Sequence, residues 1–423
     1  MNEDNIVIIG GGLQGLTTAN SLLDRGEKVL VIERENETAI QTSFANAGML
    51  TPSQAMPWNS IHDVAKILAG IGRKDSPMLL NLKSLPSLLF WGLKFLRNSS
   101  SSRFLKNSEN SFRLASYSKE LTKQIRKERN LKYDSRQDGT MKIFRTKKNL
   151  KRAIELHEKL SYLGIESKTL DPGEVVKAEP ALKDVGENLA GGIFYPQDET
   201  GDAYKFCKQL EGLIREKGGR IHVNTEIKKI LVNKKCINGL VTDRVEIKAK
   251  KIVLAAGSWS HMILKNIGLN LPVRPVKGYS LTLDTFGLEK LPKMAIIDES
   301  VHTAITPLGT RLRIAGTAEF AGLNLDIDEK RLNNLGDMLK WMYPEVYSQL
   351  NLQESKFWCG LRPMSVDGLP YLGETKIKGL FVNVGQGHLG WTSSMGSGSI
   401  LADLITGKKP ELNPEPYLAR RAL

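Results

Sequence analysis

Residues 5–34 read NIVIIGGGLQGLTTANSLLDRGEKVLVIER, and the fold turns on them. Asn5 to Ile9 is apolar and β-branched with no polar alternation, the pattern of a parallel strand buried on both faces. Gly10-x-Gly12-x-x-Gly15 follows at once. The first glycine permits the tight turn, the second lets a pyrophosphate approach the backbone, and the third lets the helix pack close to the strand. Leu13 to Arg25 has helical spacing, with Leu16, Ala19, Leu22 and Leu23 on one side, and Gly26 ends it. Lys28 to Ile32 is the next strand. Glu33 follows Gly15 by 18 residues, where a carboxylate meets a ribose 2′-hydroxyl. The unit therefore binds the ADP half of a dinucleotide, with NAD and FAD both open at this point.

A chain of 423 residues holds a large core and, by length, two domains. The acidic start MNED leads straight into the first strand, so no signal peptide is expected. Cys207, Cys236 and Cys359 are scattered and odd in number, which excludes a disulfide framework and predicts a cytoplasmic, reducing compartment with no metal site. The net charge of +14 leaves two readings, Lys-rich solvated helices or attraction to anionic lipid. No basic, aromatic-interleaved module points to nucleic acid. No run is apolar enough to span a bilayer. The nearest, SLPSLLFWGLKFLRNSSSSRFLKN (Ser84 to Asn107), either lies in a membrane interface, as a peripheral contact, or packs on its own protein.

Further along, Glu37 to Trp58 is small, polar and glycine-bearing, a long loop of the kind that carries function. Leu85 to Gly164 reads as helical with a strand at Thr140 to Phe144. Gly191 to Asp202 reads as strand and turn, and Tyr204 to Lys217 as helix. Lys251 to Ser260 is a buried strand running into Ala255-Ala256-Gly257, an element that returns to the ADP site. Residues 272–327 alternate apolar and polar, which predicts an antiparallel sheet. Gly379 to Gly407 is strand, glycine loop and helix; that helix N-terminus suits the negative charge of a reduced flavin.

Five further stretches carry a resemblance: QTSFANAG (41–48), PQDETGD (196–202), PVKGYSLT (275–282), GLRPMSVDGLPYLG (360–373) and GHLGWTSSMGSG (387–398). Over nearly its whole length the chain resembles the D-amino acid dehydrogenase branch of the FAD-dependent amino-acid oxidoreductases, the family of D-amino acid oxidase and glycine oxidase. The resemblance implies an α/β fold: a Rossmann-like FAD-binding domain, discontinuous in sequence, with an antiparallel-sheet substrate domain and a helical insert. The division it implies is 1–85, 191–270 and 351–423 for FAD binding, with 86–190 as the first part of the substrate domain, including the helical insert, and 271–350 as its antiparallel-sheet part. It also implies noncovalent FAD. The activity implied is oxidative deamination of a D-amino acid to a 2-oxo acid and ammonia, with hydride passing from Cα to flavin N5. Electrons would go to a respiratory acceptor, a quinone or electron carrier. Secondary or small amines (D-proline, hydroxyproline, glycine, sarcosine), with an oxidase or a dehydrogenase acting on them, stay open, as does a flavin subunit of a larger redox complex.

By the same resemblance Arg362 binds the substrate carboxylate. Tyr279 either hydrogen-bonds the carboxylate or amine or packs as a strand aromatic, and His388 faces substrate or flavin. Gly390 stands where some relatives carry a second basic residue, so their substrate preference does not transfer. The cofactor falls to Gly10, Gly12, Leu13, Gln14 and Gly15; to Glu33 on the ribose, beside Arg34; and to Ser43, Ala47, Gly48 and Met49 around flavin or pyrophosphate. Ile227 is expected on the adenine side, Gly257 against the ADP, and Gly387, His388, Gly390, Trp391 and Thr392 in the last glycine loop. The mechanism needs orientation and charge stabilisation rather than a nucleophile or base, so no catalytic group is assigned. Cys359 is expected to be a small buried residue, and Asp367 to serve an ion pair or turn.

Overall fold

The computed structural model describes residues 6–60, 64, 78–81 and 84–422; Asn5, where the sequence reading starts the first strand, lies outside them. The Ile6–Ile9 strand sits inside a six-stranded sheet, between Lys251–Leu254 and Val29–Ile32, parallel to both. Arg220–His222 continues the sheet on one side. Leu380–Val384, then the antiparallel Tyr371–Glu374, complete it on the other. Ile6 and Ile8 enter one apolar cluster while Val7 and Ile9 enter another, which is why this strand shows no polar alternation. The Leu13–Leu23 helix lies close over the sheet. A Cβ on Gly15 would stand 1.8 Å from the Gly10 carbonyl oxygen, so no other residue fits.

A second sheet of nine strands faces the first domain. Its path runs Lys356–Ser365, Val273–Asp284, Arg311–Phe320, Thr303–Leu308, Ala295–Asp298, Thr140–Phe144, Gly191–Tyr195, Lys168–Leu170, with Met78–Leu80 added beside Arg311–Phe320. It is antiparallel apart from two parallel pairs, Ala295–Asp298 with Thr140–Phe144 and Met78–Leu80 with Arg311–Phe320. The Glu329–Met342 helix covers one face, packing Leu335, Met338 and Leu339 onto Tyr279, Leu281 and Ile314. Three strands correct the division read from sequence. Met78–Leu80, Gly191–Tyr195 and Lys356–Ser365 fall in the stretches 1–85, 191–270 and 351–423, yet they belong to this sheet because their backbone partners are there.

The helical insert ties the halves together. Leu114 of the long Ser101–Arg129 helix packs with Leu369, Leu372, Ile400 and Tyr417 of the C-terminal part. The Leu85–Arg97 helix turns Leu88, Trp91 and Phe95 onto the protein, and Leu89, Phe90, Leu93 and Leu96 outward, with Phe90 78% exposed. Among the described residues no helix is long and apolar enough to cross a membrane.

Candidate active site

A cavity of about 1050 Å³ runs between the two sheets. That exceeds the usual volume of a small-ligand pocket and suits a dinucleotide with a small substrate beside it. At one end the wall is built by Gly10, Gly12, Leu13, Glu33, Arg34, Ile227 and Gly257. Glu33 is held by two backbone groups: Oε2 accepts from Gly11 N–H at 2.7 Å and Oε1 from Glu35 N–H at 3.0 Å. The carboxylate is thus fixed in the wall with lone pairs to spare for a diol. Arg34 lies 4.8 Å over the Trp259 ring.

Gly12 is the N-cap of the Leu13–Leu23 helix and has no side chain to close its first turn. The helix therefore presents backbone N–H groups and positive dipole to the cavity, as a pyrophosphate requires. Ser43 Oγ accepts from Leu13 N–H at 3.1 Å at that spot, and a Cβ on Gly12 would approach the same hydroxyl at 3.2 Å. Gln14 donates to the Gly390 carbonyl at 2.6 Å, joining the first glycine turn to the last. Among the described residues four polar atoms of the wall, Gln14 Oε1, Thr317 Oγ1, Gln386 Oε1 and Trp391 Nε1, are buried without a partner. Buried polar atoms are seldom left so, and these suit a ligand with donors and acceptors, such as an isoalloxazine. Met49, Ala47, Gly387 and Thr392 complete this middle section, just ahead of the Ser394–Thr406 helix. The residues fit FAD.

Two glycines assigned to the cofactor act otherwise. Gly15 and Gly48 are not in the cavity wall. Gly15 serves helix–strand contact. Gly48, at φ +69° and with its Cβ position 2.9 Å from the Gly201 carbonyl oxygen, lets Met49–Leu50 pair with Glu199–Thr200.

At the other end Arg362 stands half-buried in the wall. Its Nη1 donates to the Thr317 carbonyl at 3.0 Å, and its guanidinium lies 5.5 Å from the Trp58 ring centre. Among the described residues no carboxylate pairs with it, and burial alone lowers its pKa to about 10. A desolvated, unpaired cation in a cavity is a binding site for an anion. His388 stacks on Trp58 with centroids 4.9 Å apart, and its Nε2–H donates to the Gln54 carbonyl, 3.2 Å away. Trp58, Gln54 and Thr317 were not singled out in the sequence. Their one signal was that Gln54 and Trp58 end the loop 37–58.

Thr317 is a β-branched residue at φ +59°, an unusual conformation for such a side chain. Here the pairing slips: Lys277 faces Glu319 while Tyr279 faces Gly316, so the Arg311–Phe320 strand carries one extra residue. Such a bulge re-aims groups beside a site. Tyr279 lies beside it, on the same face of its strand as Leu281 and Leu283. The ring is 1% exposed in the core beneath the Glu329–Met342 helix, and its hydroxyl donates to Glu319 Oε2 at 2.9 Å. Tyr279 also belongs to the cavity wall beside Gly278, with its hydroxyl engaged by Glu319 and its ring packed as a strand aromatic. Cys359 is half-buried and donates to the Leu325 carbonyl, and Asp367 pairs with Arg421 at 2.9 Å, both outside the cavity wall.

Known proteins share this fold and family. The family model described as "FAD dependent oxidoreductase" matches residues 5–404. A D-amino acid dehydrogenase of Vibrio atlanticus is 35% identical over 418 residues, 99% of this chain and 100% of that protein. One of Rhizobium rhizogenes is 37% identical over 408 residues, 96% of this chain and 97% of its own. Among solved structures, glycine oxidase from Bacillus cereus superposes with a TM-score of 0.73 at 25% identity, covering 96% of each chain. L-proline dehydrogenase from P. horikoshii superposes at 0.75 with 20% identity, over 99% of this chain and 98% of that one, a likeness of fold.

Proposed function

The chain belongs to the FAD-dependent oxidoreductase family, and from that premise we propose that it is a D-amino acid dehydrogenase. The observation that carries the reading is Arg362, a cavity cation with no carboxylate of its own. Bound FAD supplies the two-electron acceptor, and the net reaction takes an amino acid and water to a 2-oxo acid and ammonia. Arg362 grips the substrate carboxylate through two parallel N–H groups, which fixes the Cα–H direction. The Thr317 carbonyl holds one guanidinium nitrogen, so the fork does not rotate freely. Trp58 and His388 close the pocket around it and keep water from competing for the cation. The N-terminus of the Ser394–Thr406 helix lends positive potential to the flavin side.

The relatives named D-amino acid dehydrogenase, 35 to 37% identical over nearly full length, support this substrate class. The similarity to glycine oxidase supports a second reading, oxidation of small or secondary amines such as glycine, sarcosine or D-proline. Anaerobic bleaching of the flavin by a panel of D- and L-amino acids and these amines separates them. Bleaching by D-forms alone is expected; bleaching by glycine or sarcosine alone favours the second reading. A yellow protein that no amine bleaches sinks both.

The electrons go, in this reading, to a respiratory acceptor, a quinone or carrier at a membrane. The Leu85–Arg97 helix supports contact with an anionic lipid surface. Leu89, Phe90, Leu93 and Leu96 project together, and residues 84–107 contain Lys94, Arg97, Arg103 and Lys106 with no acidic residue. At 13 residues the helix is too short to span and lies flat.

A further inference from the structure

Asp198 is a carboxylate that the reaction does not use. It sits in the turn between Gly191–Tyr195 and Glu199–Thr200 and is 1% exposed. It accepts from Ser53 N–H at 3.3 Å, from the Ser53 hydroxyl at 2.5 Å and from the Thr140 hydroxyl at 2.7 Å. Among the described residues no cation pairs with it; the ammonium of Lys119 is held by the neighbouring Gln197 carbonyl. Burial pushes its carboxyl up to about 6. Holding a charge there costs solvation, and its three donors only partly restore it.

The donors come from two different parts of the fold, drawn together on one carboxylate. Thr140 opens a strand of the second sheet, whereas Ser53 lies in the Pro52–Gln54 turn of the site loop. The next residue, Gln54, donates to Ser53 Oγ at 2.9 Å and offers its carbonyl to His388. His388 stacks on Trp58, and Trp58 lies against the Arg362 guanidinium. An unbroken series of contacts thus joins Asp198 to Arg362.

We propose that Asp198 is a positioning residue: by clamping Ser53 to Thr140 it fixes the 52–58 segment so that Trp58 and His388 frame Arg362 for the substrate carboxylate. A site framed on a loop needs such an anchor, since small displacements there cost binding steeply. The inference rests on the amino-acid reading for its kinetic consequence, and on the geometry alone for its structural one.

The test uses the flavin-loaded protein with Asp198→Asn and, as a second variant, Ser53→Ala. Amide hydrogen exchange is followed in peptides covering 52–58 and 386–392, with 6–32 as internal control. Exchange in the first two should quicken by about tenfold while the control stays unchanged, the signature of local rather than global opening. The KM for D-alanine should rise by about tenfold with kcat within about threefold, because the frame and not the chemistry is loosened. Unchanged exchange in both peptides of either flavin-retaining variant overturns the proposal. If no D-amino acid bleaches the parent, the substrate reading fails by itself, and the exchange experiment still decides whether Asp198 positions the loop.

Discussion

The guanidinium of Arg362 lies flat across the α-carbon of Gly278: a Cβ built on Gly278 would stand 2.2 Å from Nη1 and 2.5 Å from the central guanidinium carbon. The arginine occupies the space that a side chain on the adjacent strand would need. Gly278→Ala should therefore displace the cation without touching the nucleotide end of the cavity. The variant should keep its flavin spectrum and lose at least about tenfold in affinity for a carboxylate substrate, the scale of one misplaced charged hydrogen bond. The substrate Kd, from the concentration dependence of the anaerobic bleaching rate, checks this. Arg362→Ala should lose more, because the charge is removed rather than moved.

Glu33 makes the matching prediction at the other end. Its carboxylate binds the N–H groups of Gly11 and Glu35 and is fixed in the cavity wall. Glu33→Ala removes the ribose partner and frees both backbone donors. FAD affinity should fall by about one to two powers of ten, at roughly 1–3 kcal/mol for a hydrogen bond to a charged group. Flavin retained through gel filtration, measured by the ratio of 450 to 280 nm absorbance, reads the loss. Full retention would exclude a ribose contact at Glu33.

These two ends differ in how visible they are in the sequence. The nucleotide end is local: strand, glycine turn, helix and acid follow one another within residues 6–33, and each has its own periodicity. Arg362 emerges only through resemblance, since nothing in its spacing marks it. Its frame is invisible in sequence because it is made at long range. His388 meets Gln54 across 334 residues, and Trp58 has no local signal beyond ending a loop. Tyr279 shares the core face of its strand with Leu281 and Leu283, which the alternation in YSLTLD does show, whereas the bulge near Thr317 in the neighbouring strand leaves no local signal. Gly191–Tyr195 falls to the FAD-binding part by sequence although it pairs in the other sheet: its apolar run is compatible with either, and the choice is made by the partner Thr140–Phe144.

A pH dependence follows from Asp198. Its folded-state pKa is raised to about 6, above the usual carboxylate value, by burial. The sign follows from linkage: this group favours folding fully at pH below about 4, and that contribution is lost as pH rises through 6. Two units correspond to roughly 3 kcal/mol. Asp198→Asn, uncharged throughout, should lack this term. The stability of the variant relative to the parent should therefore improve between pH 4 and pH 7, by at most that amount. Urea unfolding of both proteins across this range checks it. A difference independent of pH would mean that the carboxyl titrates alike in the folded and unfolded chain.

The outward face of the Leu85–Arg97 helix gives the last prediction. Its inward face already anchors it to the protein through Leu88, Trp91 and Phe95, so the outward side chains contribute little to folding. Burying Leu89, Phe90, Leu93 and Leu96 in an interface would gain roughly 1–3 kcal/mol each at most, and each nearby cation adds about 1 kcal/mol on anionic lipid. The parent should sediment with vesicles containing phosphatidylserine or phosphatidylglycerol, less so at high salt, and weakly with neutral phosphatidylcholine. Phe90→Ser with Leu93→Ser should abolish sedimentation while leaving anaerobic flavin bleaching unchanged, because neither residue reaches the cavity. If the double variant sediments as the parent does, the helix is not the contact. If instead it converts a dimer to a monomer in ultracentrifugation, the face is covered by a second copy of the chain and the lipid reading falls.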